Sequence, residues 1–328
     1  MKKEFDVYAI GNAIMDIQLQ GKSSDLATLG LEKGTMQLVD VDTQKKILRY
    51  FENANIHQAS GGSAANTVIA VSQLGGRSAY GCLVANDSMG QQYASEMNDI
   101  GVRLHNSPIA SAVTGSSVII ITEDAERTMN THLGVSATFS DVHVCEEHIS
   151  RASWLYIEGY LFASEPGQKA IEKAIACAKR HNVKIAITFS DTFLISFFRE
   201  PLAKAVSEAS LIFANAHEAQ TYTGLSDEEA VFASLTAQVP NVVMTLSDRG
   251  SWVRYDGVSE YVPGTKITAV DATGAGDMYA GGFLYGITRG MSGLEAGKIA
   301  NFLAGKVVSQ LGPRIHGDLK QILAQSGL

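Results

Sequence analysis

Short apolar runs rich in β-branched residues alternate along this chain with longer stretches of helical spacing. DVYAIG (6–11), SAYGCLV (78–84), WLYIEG (154–159), KIAITF (184–189), LIFA (211–214) and VVMTL (242–246) read as buried strands. Helices read most clearly over 63–75, 167–181, 274–290 and 293–312, each closing on a glycine or a basic residue. Alternation of this kind predicts an α/β fold, with a mostly parallel central sheet and helices on both faces.

Two segments break the alternation. After AIGNAIMDI the chain runs through GTMQLVD (34–40) without a convincing helix, and 114–134 reads as two alternating strands around the turn TEDAER. These strand-rich excursions predict a small β-sheet lid over one end of the sandwich. The expected division is a large unit of 1–15, 41–105 and 141–328 and a lid of 16–40 and 106–140. No linker, low-complexity tract or internal repeat interrupts it.

The 328 residues are 45% hydrophobic and 18% charged, enough for an ordinary core. The net charge of −8, with no basic run, argues against nucleic acid and anionic membranes as partners, so an anionic substrate must be captured locally. No apolar signal core or bilayer-spanning stretch is read. Cys82, Cys145 and Cys177 are far apart and show no metal or redox spacing, and a reduced, cytoplasmic setting is expected.

A strand, a glycine-rich turn and a helix together hold phosphate, because free N–H groups and the helix dipole point at the anion. QGKSS (20–24) contains the Gly-Lys-Ser of a P-loop, but Asp16 stands where the earlier glycine is required. AIGNAIMD lacks the later glycines of a dinucleotide fingerprint, which removes the oxidoreductase reading. DATGAGDMYAGG (271–282) meets the requirement. Gly274, Ala275 and Gly276 have small side chains that let their amides converge on one point, and Asp277 falls in the first turn of the next helix. An acid there also favours a helix N-terminus in its own right. Read chemically, the stretch is an anion hole with a base beside it, suited to phosphoryl transfer onto a hydroxyl. Gly281 and Gly282 then let the helix pack close to a neighbour.

The acceptor side is read from two turns. GNAIMD places Asn12 and Asp16 beyond the first strand, and ASGGSAANT places Gly61 and Gly62 at a turn with Asn66 on the helix that follows. An acid and an amide together can grip vicinal hydroxyls. Ordinary strand-to-helix turns capped by Ser60 or Ser63 fit the same residues.

GGSAANT (61–67) and DATGAGD (271–277), in this order and at this separation, resemble the two signatures of the PfkB/ribokinase family of carbohydrate and nucleoside kinases. The resemblance covers essentially the full chain. GNAIMDI, YIEGYLF (156–162) and ITFSDTFLISFF (187–198) are similar to the adenosine-kinase branch. The resemblance implies an ATP- and Mg²⁺-dependent kinase of a nucleoside or sugar, adenosine first, with a place in purine salvage. It implies that Asn12, Asp16, Gly61, Gly62 and Asn66 hold the ribose, and that Asp277 deprotonates its 5′-hydroxyl. Tyr160, Phe193 and Leu133 would contact the base, and Arg127 would clamp the phosphate in motion. Asn215 and Glu218 match the motif that organises Mg²⁺ through water. Thr245, Ser247, Gly250, Thr273 and Asn301 would border ATP, with Ser247 standing where many relatives have glycine. Asp271 matches a position associated with a monovalent cation, K⁺, in some relatives. A free-sugar kinase, a kinase of another nucleoside such as inosine and a non-catalytic nucleotide sensor remain as alternatives, and monomer and homodimer are both open.

Overall fold

The computed structural model describes residues 3–124 and 126–328. Its nine-stranded sheet is built on β1 (Phe5–Ile10), β5 (Ser78–Gly81), β6 (Val102–Leu104), β9 (Ala152–Ile157), β10 (Lys184–Thr188), β11 (Leu211–Asn215), β12 (Asn241–Thr245), β13 (Gly250–Tyr255) and β14 (Val258–Pro263). The order across it is β14-β13-β12-β11-β10-β9-β1-β5-β6. Every pair from β12 to β6 is parallel, and β13 and β14 add an antiparallel edge. The mostly parallel sheet predicted by the alternation is therefore present. Its inner strands are mostly apolar because helices cover both faces, and all six residues of β1, Asp6 among them, are buried.

The second sheet has five strands in the order β3-β8-β7-β2-β4, formed by β2 (Ile14–Gln20), β3 (Met36–Leu38), β4 (His57–Gly61), β7 (Gly115–Ile121) and β8 (Arg127–His132). β4 lies in the stretch expected with the large unit, but it pairs antiparallel with β2 from Ile14↔Gly61 to Gln18↔His57. HQASG has no apolar run to announce a strand; its long-range partner makes it one. One helix also interrupts the region read as strand-rich, and a second follows it. α1 (Ser23–Leu29) ends on Gly30 at φ 71°, and α2 (Val41–Tyr50) is capped by Asp40, which accepts from the Thr43 amide at 2.7 Å. The Gly-Lys-Ser tripeptide runs into this short α1 and forms no phosphate loop.

The remaining helices are α3 (Ser63–Gln73), α4 (Ser88–Ile100), α5 (Glu146–Ser150), α6 (Glu165–Arg180), α7 (Thr192–Phe197), α8 (Arg199–Val206), α9 (Ala216–Thr223), α10 (Glu228–Gln238), α11 (Ala275–Thr288), α12 (Gly293–Val308) and α13 (Leu319–Ser326). Alternation along β1 divides the core. Tyr8 and Ile10 pack with α5 and α6, while Val7 and Ala9 pack with α3 and α11. α11 is wedged between two helices by its glycine pair. A Cβ on Gly281 would sit 2.6 Å from Ala70 Cβ on α3, and one on Gly282 would sit 2.8 Å from Leu303 on α12. This close packing fixes the start of α11 against the start of α3. No helix among the described residues is long and apolar enough to cross a membrane.

Candidate active site

The parallel strands end together, and the loops leaving them line a cavity of about 370 Å³. β2 contributes Asp16, the start of α3 contributes Gly62, Ser63 and Asn66, and the small sheet contributes Ile119 and Met129. Tyr160, Asn215, Glu218, Thr245 and the run from Ala272 to Asp277 complete the sides that bear on chemistry.

Asp277 is half-buried on this cavity and forms no ion pair among the described residues. It accepts from Ser63 Oγ at 2.6 Å and from Asn66 Nδ2 at 3.0 Å. Burial pushes its carboxyl up to about 6, against the two donors, which favour the charged form. At neutral pH the group is mostly ionised and is a competent proton acceptor.

The amides beside it differ in one respect from the sequence expectation. Gly274 adopts the left-handed conformation, φ 75°, and a Cβ there would lie 2.5 Å from the Pro313 carbonyl. This turn sends the Ala275 N–H back to the Ala272 carbonyl at 3.2 Å, so Ala275 does not join the anion hole. The amides of Gly274, Gly276 and Asp277 find no acceptor among the described residues. Nothing lies within 4 Å of where a Gly276 side chain would begin. The cradle therefore opens at the N-terminus of α11, where the dipole adds to it.

On the acceptor side, Asp16 lies against the glycine turn so closely that a Cβ on Gly61 would meet its Oδ2 at 2.5 Å. Burial pushes Asp16 up to about 6, opposed by Arg314 and then Arg127, with Asp277 adding to the rise. Gly62, at φ 107°, leaves no room for a side chain against the Asn12 carbonyl. Asn12 itself is buried and does not line the cavity. Its amide group and its backbone N–H donate to Glu158 Oε1 at 3.1 and 3.2 Å, while Ala64 N–H donates to Oε2 at 2.8 Å. Glu158 thus ties the loop after β1 to the start of α3. Burial raises its carboxyl to about 7 in spite of the backbone amides of Ala64 and Asn12.

Arg127 is neither a solvated turn residue nor a free arm. It opens β8, is buried, and places Nη1 2.5 Å from Asp271 Oδ2. Its Nε and Nη2 have no protein partner among the described residues. Asp271 also accepts from the amides of Thr273 at 3.0 Å and Gly312 at 2.8 Å. A carboxylate so occupied, with a guanidinium already against it, does not fit the role of a K⁺ ligand. A second cation, Arg314, lies outside the motifs of the sequence. It reaches Ser60 Oγ at 3.1 Å and Asn66 Oδ1 at 3.4 Å from the loop after α12, and burial lowers its pKa. The one sequence cue is a lone arginine just after Gly312-Pro313.

On the nucleotide side, Asn215 caps α9 in a reciprocal box with Glu218. The Glu218 N–H donates to Asn215 Oδ1 at 2.8 Å, and Asn215 donates to both Glu218 oxygens at 2.7 and 3.0 Å. Burial lifts Glu218 to about 7, eased by the Asn215 amide and worsened by Asp191. An acid facing the cavity in need of positive charge, with lone pairs to spare for water, fits a hydrated Mg²⁺. Thr245 and Thr273 also line the cavity, whereas Ser247, Gly250 and Asn301 do not. Ser247 takes φ 56°, a backbone suited to the glycine expected at its position. Asn301 donates to the Val262 carbonyl at 3.0 Å and supports the end of β14. Of the residues expected at the base, Tyr160 lines the cavity. Phe193 instead packs edge-on against Phe198 at 6.3 Å, and Leu133 backs onto Gly115.

The chain is similar over its whole length to proteins of known class. An adenosine kinase structure from Sinorhizobium meliloti is 34% identical, with a TM-score of 0.90 and coverage of 98% of this chain and 99% of that one. A probable sugar kinase structure from Rhizobium etli is 32% identical, with a TM-score of 0.91 and coverage of 99% of each. The adenosine kinase of Saccharomyces cerevisiae is 26% identical over 93% of this chain and 95% of its own. The model of the pfkB family of carbohydrate kinases matches residues 36–318, and the chain belongs to that family, as a phosphotransferase acting on a hydroxyl group.

Proposed function

We propose that the chain phosphorylates the 5′-hydroxyl of a ribonucleoside, adenosine above others, with ATP as donor. The observation that carries this reading is the Asp277 carboxyl group held by Ser63 and Asn66 beside three amides with no acceptor among the described residues, on an open cavity. Asp277 accepts the hydroxyl proton and aims the oxygen for in-line attack. The amides of Gly274, Gly276 and Asp277 stabilise charge on the moving phosphoryl group. Asp16 and Asn66 grip the ribose hydroxyls, with Asn12 and Gly62 shaping the turn around them. Tyr160 offers a ring face for the base. Arg127, paired with Asp271, keeps Nε and Nη2 without a partner among the described residues and supplies them as donors to the transferred phosphate. Glu218 and Asn215 would hold Mg²⁺ through water, and the ion would neutralise charge on the ATP phosphates. The small sheet acts as a lid that excludes water. Similarity to two adenosine kinases supports the nucleoside, and purine salvage is the role that follows.

A second reading, a free-sugar kinase, is favoured by the off-cavity positions of Phe193 and Leu133 and by the similar Rhizobium etli protein. Steady-state rates with adenosine, inosine, ribose and fructose, each with ATP and Mg²⁺, decide between them. Adenosine is expected to give the highest kcat/KM. A higher value for ribose or fructose overturns the nucleoside assignment.

A further inference from the structure

On the face of the large sheet opposite α3 and α11, a thiol and two imidazoles meet. His105, Cys145 and His148 each present one ligand atom, all within 4.8 Å of one another. His105 follows β6 at the sheet edge, Cys145 caps the N-terminus of α5, and His148 stands on the first turn of that helix. The His148 backbone N–H points at Cys145 Sγ at 3.5 Å, which holds the sulfur toward the ring above it. His148 is only 9% exposed, and its Nδ1 has no partner among the described residues. Tyr8 Oη and Asn106 Oδ1, on residues adjoining the cluster, are buried and unpartnered as well. A buried imidazole nitrogen without a partner is costly, and a bound cation removes the cost.

We propose that His105, Cys145 and His148 form a zinc site separate from the catalytic cavity, with water in the fourth position. One thiolate and two imidazoles are a borderline-soft donor set suited to Zn²⁺. Tetrahedral zinc needs its ligand atoms about 3.5 Å apart, given bonds of roughly 2.0–2.3 Å. The exposed His105 is free to swing inward by the required amount. Arg103 is the cation near His148. The charge of Arg103 is partly balanced by Glu4 at 2.8 Å, and Glu147 adds negative charge near both rings. The spacing of the cysteines hides this site because His105 arrives from a different strand. Bound zinc would fasten the outer edge of the sheet to α5 and stabilise the fold by linkage.

The test uses tag-free, chelator-stripped full-length protein titrated with Co²⁺ in the absence of nucleotide. One equivalent is expected to bind with a thiolate-to-cobalt charge-transfer band in the near ultraviolet, to be displaced by Zn²⁺, and Zn²⁺ is expected to raise Tm. Cobalt held by the carboxylate of Glu218 gives no such band. Cys145→Ser should abolish the band, and His105→Ala should weaken cobalt binding by about 10–100-fold. Both variants should keep wild-type near-UV circular dichroism and zinc-free kinase turnover, which separates lost ligation from misfolding. Absence of the band from the wild-type protein, or cobalt affinity unchanged in both variants, overturns the site.

Discussion

Replacing Ser63 with alanine removes the shorter of the two hydrogen bonds that keep Asp277 charged, at 2.6 Å. A bond to an ionised group is worth about 1.5–3 kcal/mol, and one pH unit corresponds to about 1.4 kcal/mol. The carboxyl, already lifted to about 6 by burial, should therefore rise by about one unit or more. A base works only when ionised, so activity is present above its pKa and lost as the pH falls through it. At pH 6 the ionised fraction drops from about one half to about one tenth, a loss of about fivefold in kcat/KM. At about pH 8.5 the variant and the parent should nearly coincide. Stability follows the same sign, because the bond contributes only where Asp277 is charged. Ser63→Ala should lose stability above about pH 6 and little near pH 4. The assay is kcat/KM for adenosine with ATP across the acid limb, beside urea denaturation at the two pH values. An acid limb that stays in place while the rate falls uniformly refutes the reasoning. The titrating group would then be another, with Asp16, also near 6, the first to test.

Asp277→Asn should lower kcat by about 10²–10⁴-fold, while calorimetry finds ATP and nucleoside binding largely intact. Glu158→Gln replaces a carboxylate that accepts from three N–H groups. Loosening Asn12 should raise the nucleoside KM by about tenfold and leave the KM for ATP unchanged in steady-state kinetics. Gly281→Ala puts a methyl group 2.6 Å from Ala70 Cβ and 2.8 Å from the Thr67 carbonyl, and should cost about 1–3 kcal/mol in urea denaturation.

The large sheet could be read because each of its inner strands is announced by its own apolar residues. β1 is buried at all six positions and β5 at all four, and no partner is needed to recognise either. β4 is different: HQASG becomes a strand only because β2 runs beside it. The candidate amide cradle and the acid beside it were legible for a similar local reason, since Gly274 to Asp277 are contiguous. Even there, the redirected Ala275 amide depended on Pro313 forcing the turn, which no local pattern encodes. Glu158 and Arg314 act through contacts with residues 146 and 248 positions away. Glu158 stands within YIEGYLF, but that stretch does not announce its partners, and Arg314 stands in no motif. Arg127 is singled out by its position in the chain, but its pairing with Asp271 spans 144 residues and emerges only on folding.

That pairing links two parts of the molecule with otherwise separate architectures. Arg127 belongs to a strand of the smaller sheet, and Asp271 to the approach to α11. Deleting either charge strands the other in the interior, a loss of about 3–5 kcal/mol. The two positions are thus a joint inheritance: a tolerated change at one calls for a compensating change at the other. A smaller sheet grafted from a relative would have to bring its own answer to Asp271.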